Sequence, residues 1–299
     1  MEALLLSVSL ACALANGTAR KFGMKRYIDN QSETFFYNAV SSLITSAILI
    51  IMMAITGQLH MPSTYTLLLG LVFGVVTAMS AICNLTALGC GPLSYTTVIV
   101  ACSMIIPSLF GLFRGETLRP VHYIGIAMML CCMVLSVSKE EGEKKKVSLF
   151  WFACCMVDFI CSGSIGILQQ IHQSSVHKDE LNQFLLIAFL FSAVFCFAAS
   201  AFFRRAKHET FSISMAPNKP LLWICIISGI GVAGNNIINL YLSGVMNPAV
   251  FFPIVNGGSL ILSAAMGIFA FREKFSARKW VGLGIGVAAI LLLCLDKVF

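Results

Sequence analysis

The sequence predicts an all-α integral membrane protein of ten transmembrane helices arranged as two inverted five-helix repeats. Three observations carry that expectation. Of 299 residues, 58% are hydrophobic and only 11% charged, with a mean hydropathy of +0.89, so polar surface is too scarce to coat a soluble globule. The apolar residues fall in long runs that lack the alternation of a membrane barrel. A run of about 20 crosses a hydrocarbon layer roughly 30 Å thick as a helix, the form that satisfies its own backbone N–H and C=O groups. Finally, polar and helix-breaking landmarks recur half a chain apart.

The first segment, 3–24, is the shortest in apolar content, with a core of about 14 residues that resembles a signal-peptide core. No basic region precedes it, however, and Arg20 and Lys21 stand where a small-residue cleavage site belongs. A tilted helix whose basic end snorkels fits better. Asn16-Gly17 marks a candidate break. The second segment spans 34–56. The third, 64–88, carries Gly70 and Gly74 at GxxxG spacing, read as a packing face with a homodimer contact as the lesser alternative, and Asn84 near its end. The fourth, 92–113, contains Pro107 and leads into the turn "FRGETLRPVHYIG" with Glu116. The fifth, 120–138, precedes the charged connector "KEEGEKKK", which divides the chain into halves 1–138 and 148–299 joined by 139–147.

The sixth segment, 148–171, holds Asp158, the one acidic residue deep inside any segment, and a second candidate break at Ser162-Gly163. A polar insert, 171–182, leads to the seventh at 183–203, and another, 204–219, to the eighth at 219–242 with Asn235, Asn236 and Asn239. The ninth, 247–271, carries Phe251, Phe252 and Asn256, with Gly257 and Gly258 permitting close approach or unwinding. The turn "FREKFSARKWVG" with Glu273 opens the tenth, 278–297, which has a GxxxG at Gly282 and Gly286.

The two charged turns are echoes of one another. Asn84 and Asn239 are 155 residues apart, as are Gly89 and Gly244; Pro92 and Pro248 are 156 apart; Glu116 and Glu273, and Gly125 and Gly282, are 157 apart. Leu, Ile and Val coincide by chance in any pair of apolar helices, but polar landmarks kept in register imply duplication. Five helices per copy is an odd number, so the second copy enters the membrane from the opposite side, the architecture of alternating access. Glu116 and Glu273 would then cap helices five and ten, complementing their exposed N–H groups and dipoles.

The stretches "PSLFGLFRGETLRPVHYIGIAMMLCCMVLSV" and "MGIFAFREKFSARKWVGLGIGVAAILLLCL", each a helix, a Glu-bearing turn and a helix opening on Gly, resemble the paired EamA-type domains of the drug/metabolite transporter superfamily. The resemblance covers essentially the whole chain and implies a ten-helix secondary transporter. Departures from the pattern are Asn16-Gly17 in the first helix, Ala264 where the second half would match Pro107, and an N-terminus without basic residues.

Polar residues at membrane depth are the candidate site, because an unsatisfied polar group in hydrocarbon is kept only where it faces inward or meets water. Asp158 can bind a cation or take up a proton and is the candidate coupling residue. Asn235, Asn236 and Asn239 share one sector of their helix, and Asn84 is the repeat mate of Asn239, so the two are expected to line a substrate site near the midplane. Carboxamides suit a zwitterionic or multiply polar cargo. Asn16, Ser162, Phe252 and Asn256 complete the substrate-binding set; interhelical bonding, typically worth about 0.6 to 2 kcal/mol, is the plainer account of such residues.

Other classes find less support. No GxxxxGK[ST] motif is present, which argues against direct nucleotide use. The 12 cysteines lie mostly in apolar segments without ligand spacing and read as packing residues, so no metal or cofactor is expected. His60, His122, His172, His177 and His208 fall at loops or helix ends, away from where an intramembrane enzyme needs them. A membrane chaperone or sensor is a further alternative. The net charge of +7 is scattered over loops, suiting anionic lipid rather than nucleic acid. Sixteen of the 20 basic residues fall on odd-numbered loops, which places both termini outside the cell membrane by the positive-inside rule.

Overall fold

The computed structural model describes residues 2–28, 30–90, 96, 99–100, 102–113, 119–136, 148–206, 220–269 and 277–295. Among them are ten α-helices and no strand: α1 Glu2–Tyr27, α2 Gln31–Ile55, α3 Thr64–Cys90, α4 Ile105–Phe113, α5 Pro120–Ser136, α6 Leu149–Gln173, α7 Leu181–Ala206, α8 Pro220–Val245, α9 Pro248–Phe269 and α10 Ala277–Leu295. Single 3₁₀ turns, Cys102–Met104 and Lys178–Glu180, lead into α4 and α7. Pro92, Glu116, Glu273, His208 and the 139–147 connector lie outside the described residues.

Six of the helices, α1, α2, α3, α6, α7 and α8, are long and apolar enough to cross a membrane. Their side chains are arranged for an apolar surrounding. On α2, Ser41, Ser42, Thr45 and Ser46 are buried while Leu43, Ile50, Ile51 and Ile55 are exposed, the reverse of a helix on a soluble protein. The inward hydroxyls satisfy themselves: Thr45 Oγ1 donates to Ser41 O at 3.0 Å and Ser46 Oγ to Ser42 O at 2.9 Å. Asn30 caps α2, its side chain accepting from Glu33 N at 2.9 Å. The helix ends at Gly57, whose φ of 69° with the Gln58 N to Met53 O bond of 2.9 Å makes a left-handed stop that only glycine adopts freely.

The chain divides into two compact units, Met1–Ala78 with His172–Tyr241 and Met79–Ile171 with Leu242–Phe299. Each draws on both sequence halves, so the packing units do not follow the expected division at 139–147. In the first unit α2 packs along α7, through a stacked Phe35–Phe203 pair at 5.4 Å and an edge-on Phe36–Phe197 pair at 5.7 Å. Gly70 and Gly74 of α3 lie on α7, where a Cβ at either would stand 3.1 Å from the carbonyl of Phe184 or Ala188. This GxxxG face is therefore used inside the chain. At one end, Glu180 anchors the α2–α3 connection, accepting from Ser63 N at 3.0 Å and from Ser63 Oγ at 2.7 Å.

In the second unit α5 packs on α10, and α9 on α4, α5 and α10. Met104, Met129, Cys132 and Ala289 form its core, with Met129 in contact at Gly257 and Cys132 at Gly286. The ten cysteines whose side chains are described are free thiols, and buried ones such as Cys132, Cys155 and Cys225 pack among apolar side chains.

Two expected breaks are corrected, and of the two expectations for Gly257-Gly258, close approach or unwinding, the first holds. The helices α1, α6 and α9 run unbroken through Asn16-Gly17, Ser162-Gly163 and Gly257-Gly258, since in an apolar surrounding an opened backbone bond has no water to replace it. Close packing accounts for Gly163 and Gly257, whose missing Cβ atoms make room for Ile106 and Met129. Gly17 has nothing within 4 Å, and the packing does not explain it.

Candidate functional site

Asp158 lies midway along α6 and is 0% exposed. Two pairs of residues at i, i+4 interlock around it: Asp158 and Ser162 on α6, Ser80 and Asn84 on α3. That spacing sets side chains on one helix face, one above the other. Ser80 Oγ donates to Asp158 Oδ1 at 2.6 Å, Ser162 Oγ to the same oxygen at 3.1 Å, and Asn84 Nδ2 to Oδ2 at 2.7 Å. The two serine oxygens are 3.0 Å apart. As a carboxylate Asp158 thus accepts three charge-assisted bonds, yet among the described residues no cation pairs with it. The thiols of Cys83, Cys155 and Cys161 are within its electrostatic reach.

The first unit holds a neutral counterpart. Ser9 of α1, also 0% exposed, donates from Oγ to Asn239 Oδ1 at 2.6 Å and stands 2.9 Å from Asn235 Oδ1. Asn239 Nδ2 donates to Asn235 Oδ1 at 3.1 Å. Asn235 and Asn239 lie 155 residues beyond Ser80 and Asn84, so the same two register positions supply the i, i+4 pair in both units. Ser9 fills the place that Asp158 fills, although the two are 149 residues apart; the match is of contact rather than of landmark. Glycines let α1 come close: a Cβ on Gly231 would stand 2.7 Å from Cys12 O, and one on Gly234 2.8 Å from Cys12 Sγ.

The remaining candidates divide. Asn16 joins a second rung of the first unit, where Ser41 Oγ donates to Ser228 Oγ at 3.2 Å and Ser228 Oγ to Asn16 Oδ1 at 2.7 Å. Asn236 instead donates back to Val232 O at 2.9 Å, apart from its two neighbours in sequence. Phe252 is buried, edge-on to Phe251 at 5.0 Å and packed at Gly166. Asn256 is exposed and donates to Phe252 O at 2.9 Å. Ser9 and Ser80 were not apparent from the sequence. Ser80 could have been found by subtracting the repeat distance from Asn235; serine is too common in apolar helices for Ser9 to have stood out.

Among the described residues no group of three or more His, Cys, Asp or Glu could hold a metal ion. The four described histidines lie at helix ends or loops, with His172 stacked on Phe184 at 4.4 Å.

No family model and no curated protein matches the chain. Solved structures do: one crystal structure aligns with a TM-score of 0.74 over 99% of this chain and 96% of that chain, at 16% identity. That likeness is of fold. Fold and composition together define an all-helical chain with six helices able to span a membrane, consistent with a multi-pass membrane protein.

Proposed function

We propose that the protein is a secondary transporter of a small polar, amino-acid-like metabolite, working by alternating access of two inverted repeats. The observation that carries this reading is the doubled interlock, a buried carboxylate in one unit and a neutral hydroxyl in the other, each held by the same pair of repeat positions. Burying a carboxylate in a helix of hydrocarbon character is costly, and an intramembrane acid is most readily accounted for by a cargo or ion pathway. Asp158 is the coupling residue, taking up a proton or exchanging it for a cation, and Asn84 and Ser162 beside it contact cargo. The resemblance of both halves to EamA-type domains supports the reading. So does the exchange of contacts, for α3 meets α7 as α8 meets α2, the pattern that trading α2 with α7 and α3 with α8 would produce. With no acidic or histidine partner for Asp158 among the described residues, a carrier fits better than an intramembrane enzyme. Loop charge favours a cell-membrane location with both termini outside.

A thermal-shift panel of amino acids, nucleosides, sugar phosphates and cationic drugs on purified protein identifies a ligand, whose flux is then followed in liposomes. Asp158→Asn should reduce gradient-driven uptake at least about tenfold, the equivalent of about 1.4 kcal/mol, while exchange persists. Absence of flux for every stabilising ligand, or an unchanged Asp158→Asn protein, would exclude the proposal.

A further inference from the structure

The first unit contains a second polar feature that neither interlock uses. Arg20 stands at the end of the apolar stretch of α1, partly buried, and among the described residues no carboxylate pairs with it. Its electrostatic neighbours are Tyr37 of α2 and Cys196 of α7. Tyr37 is 1% exposed and its Oη has no hydrogen-bond partner. Ser228 is near the phenol, but the pair misses hydrogen-bond geometry, and Ser228 Oγ is already engaged with Asn16 and Ser41. The Tyr37 ring is fixed in place: it packs with Ala19, Ile28, Leu221, Ile224 and Cys225, and its Cε2 lies 3.7 Å from where a Cβ on Gly23 would be. That contact sets the ring against α1 one turn beyond Arg20.

Snorkelling toward the headgroups accounts for the arginine alone. It does not account for a phenol deep in the unit with an unused O–H, since buried polar groups are almost always bonded. Both groups offer donors: guanidinium carries five N–H bonds in a planar fork and no acceptor, and the phenol one O–H. A pair of unmatched donors, one of them a fixed cation, is complementary to an acceptor-only anion, and the fork matches the paired oxygens of carboxylate or phosphate.

We infer that Arg20 and Tyr37 form an oxyanion-binding site within the first unit, taking the carboxylate or phosphate of a soluble ligand or of an anionic lipid. The site is separate from Asp158 and stands whether or not the chain carries cargo. It is tested on the full chain by thermal unfolding, with inorganic phosphate and acetate as soluble probes in neutral detergent, and with phosphatidylglycerol against phosphatidylcholine nanodiscs. Stabilisation by a soluble probe that is lost in Arg20→Gln and Tyr37→Phe supports the site and a soluble ligand. Stabilisation by phosphatidylglycerol alone, lost in the same variants, supports the site with lipid as its occupant. Without any probe, Tyr37→Phe should unfold at or above the parent temperature, because the hydroxyl it removes has no partner; a marked loss would reveal a structural bond and overturn the inference. So would no shift with any probe, or a shift retained in Arg20→Gln and Tyr37→Phe. Asp158→Asn should keep the shift, so a failed flux assay with this response intact removes the transport reading alone.

Discussion

Asp158 and Ser9 sit in equivalent interlocks, and only one of them can carry charge. The amide partner of each differs in consequence: Asn239 accepts from Ser9, whereas Asn84 donates to Asp158. Asn84 Nδ2 is the donor to Asp158 Oδ2, so Asn84→Leu leaves one oxygen of a buried carboxylate without its partner, at a cost of about 1–3 kcal/mol. Asn239→Leu removes a neutral interhelical contact, worth about 0.6–2 kcal/mol. Thermal unfolding of the two variants should show the greater loss for Asn84→Leu; equal losses would show that the charge adds nothing to the interlock. At this scale the sequence was partly legible. Asp158, Asn84, Asn235 and Asn239 stood out because acids and amides are rare in apolar helices. Their hydroxyl partners did not, because Ser and Thr can bond to their own helix, as Thr77 Oγ1 does to Phe73 O at 2.8 Å, and so give no hint of a distant contact.

Among the elements, glycine divides into positions that packing requires and positions it does not. On α6, a Cβ at Gly163 would collide with Ile106 Cβ as well as with the end of that side chain, which rotation alone does not relieve. Gly163→Ala should therefore destabilise by about 1–3 kcal/mol through overpacking. On α1, Gly17 has open space around it, so Gly17→Ala should be neutral or stabilise by up to about 1 kcal/mol through helix propensity. Unfolding temperatures of the two variants should move in opposite directions or differ clearly; a matched pair of losses would mean that α1 needs the glycine for a reason other than packing. The same comparison explains why Asn16-Gly17 and Ser162-Gly163 read as breaks. Local composition marks where a helix can open, whereas its neighbours decide whether it does.

For the molecule as a whole, the odd number of helices in each half is the testable geometry. On the proposed ten-span topology, tags at the two termini should report the same side of the membrane, and a protease site placed within 139–147 the opposite side. The basic-residue bias further expects the termini outside. In intact cells, therefore, surface antibody should reach both terminal tags, while added protease should cleave the connector only after permeabilisation. Termini on different sides would contradict ten spans; termini inside with the connector outside would contradict only the charge bias.

Composition and the length of the apolar runs were enough to establish helices suited to a membrane, since hydrocarbon forces each segment to bond its own backbone whatever its neighbours are. The recurrence of polar landmarks about 155 to 157 residues apart was legible for a related reason, as such residues rarely coincide in register by chance. The tertiary structure alone decided which polar residues meet. Asn235 and Asn239 reach Ser9 while Asn236, on the same face, turns back to Val232, because partnership depends on where a helix from a distant part of the chain can approach, and that is set by glycine faces and side-chain volumes that no single segment contains.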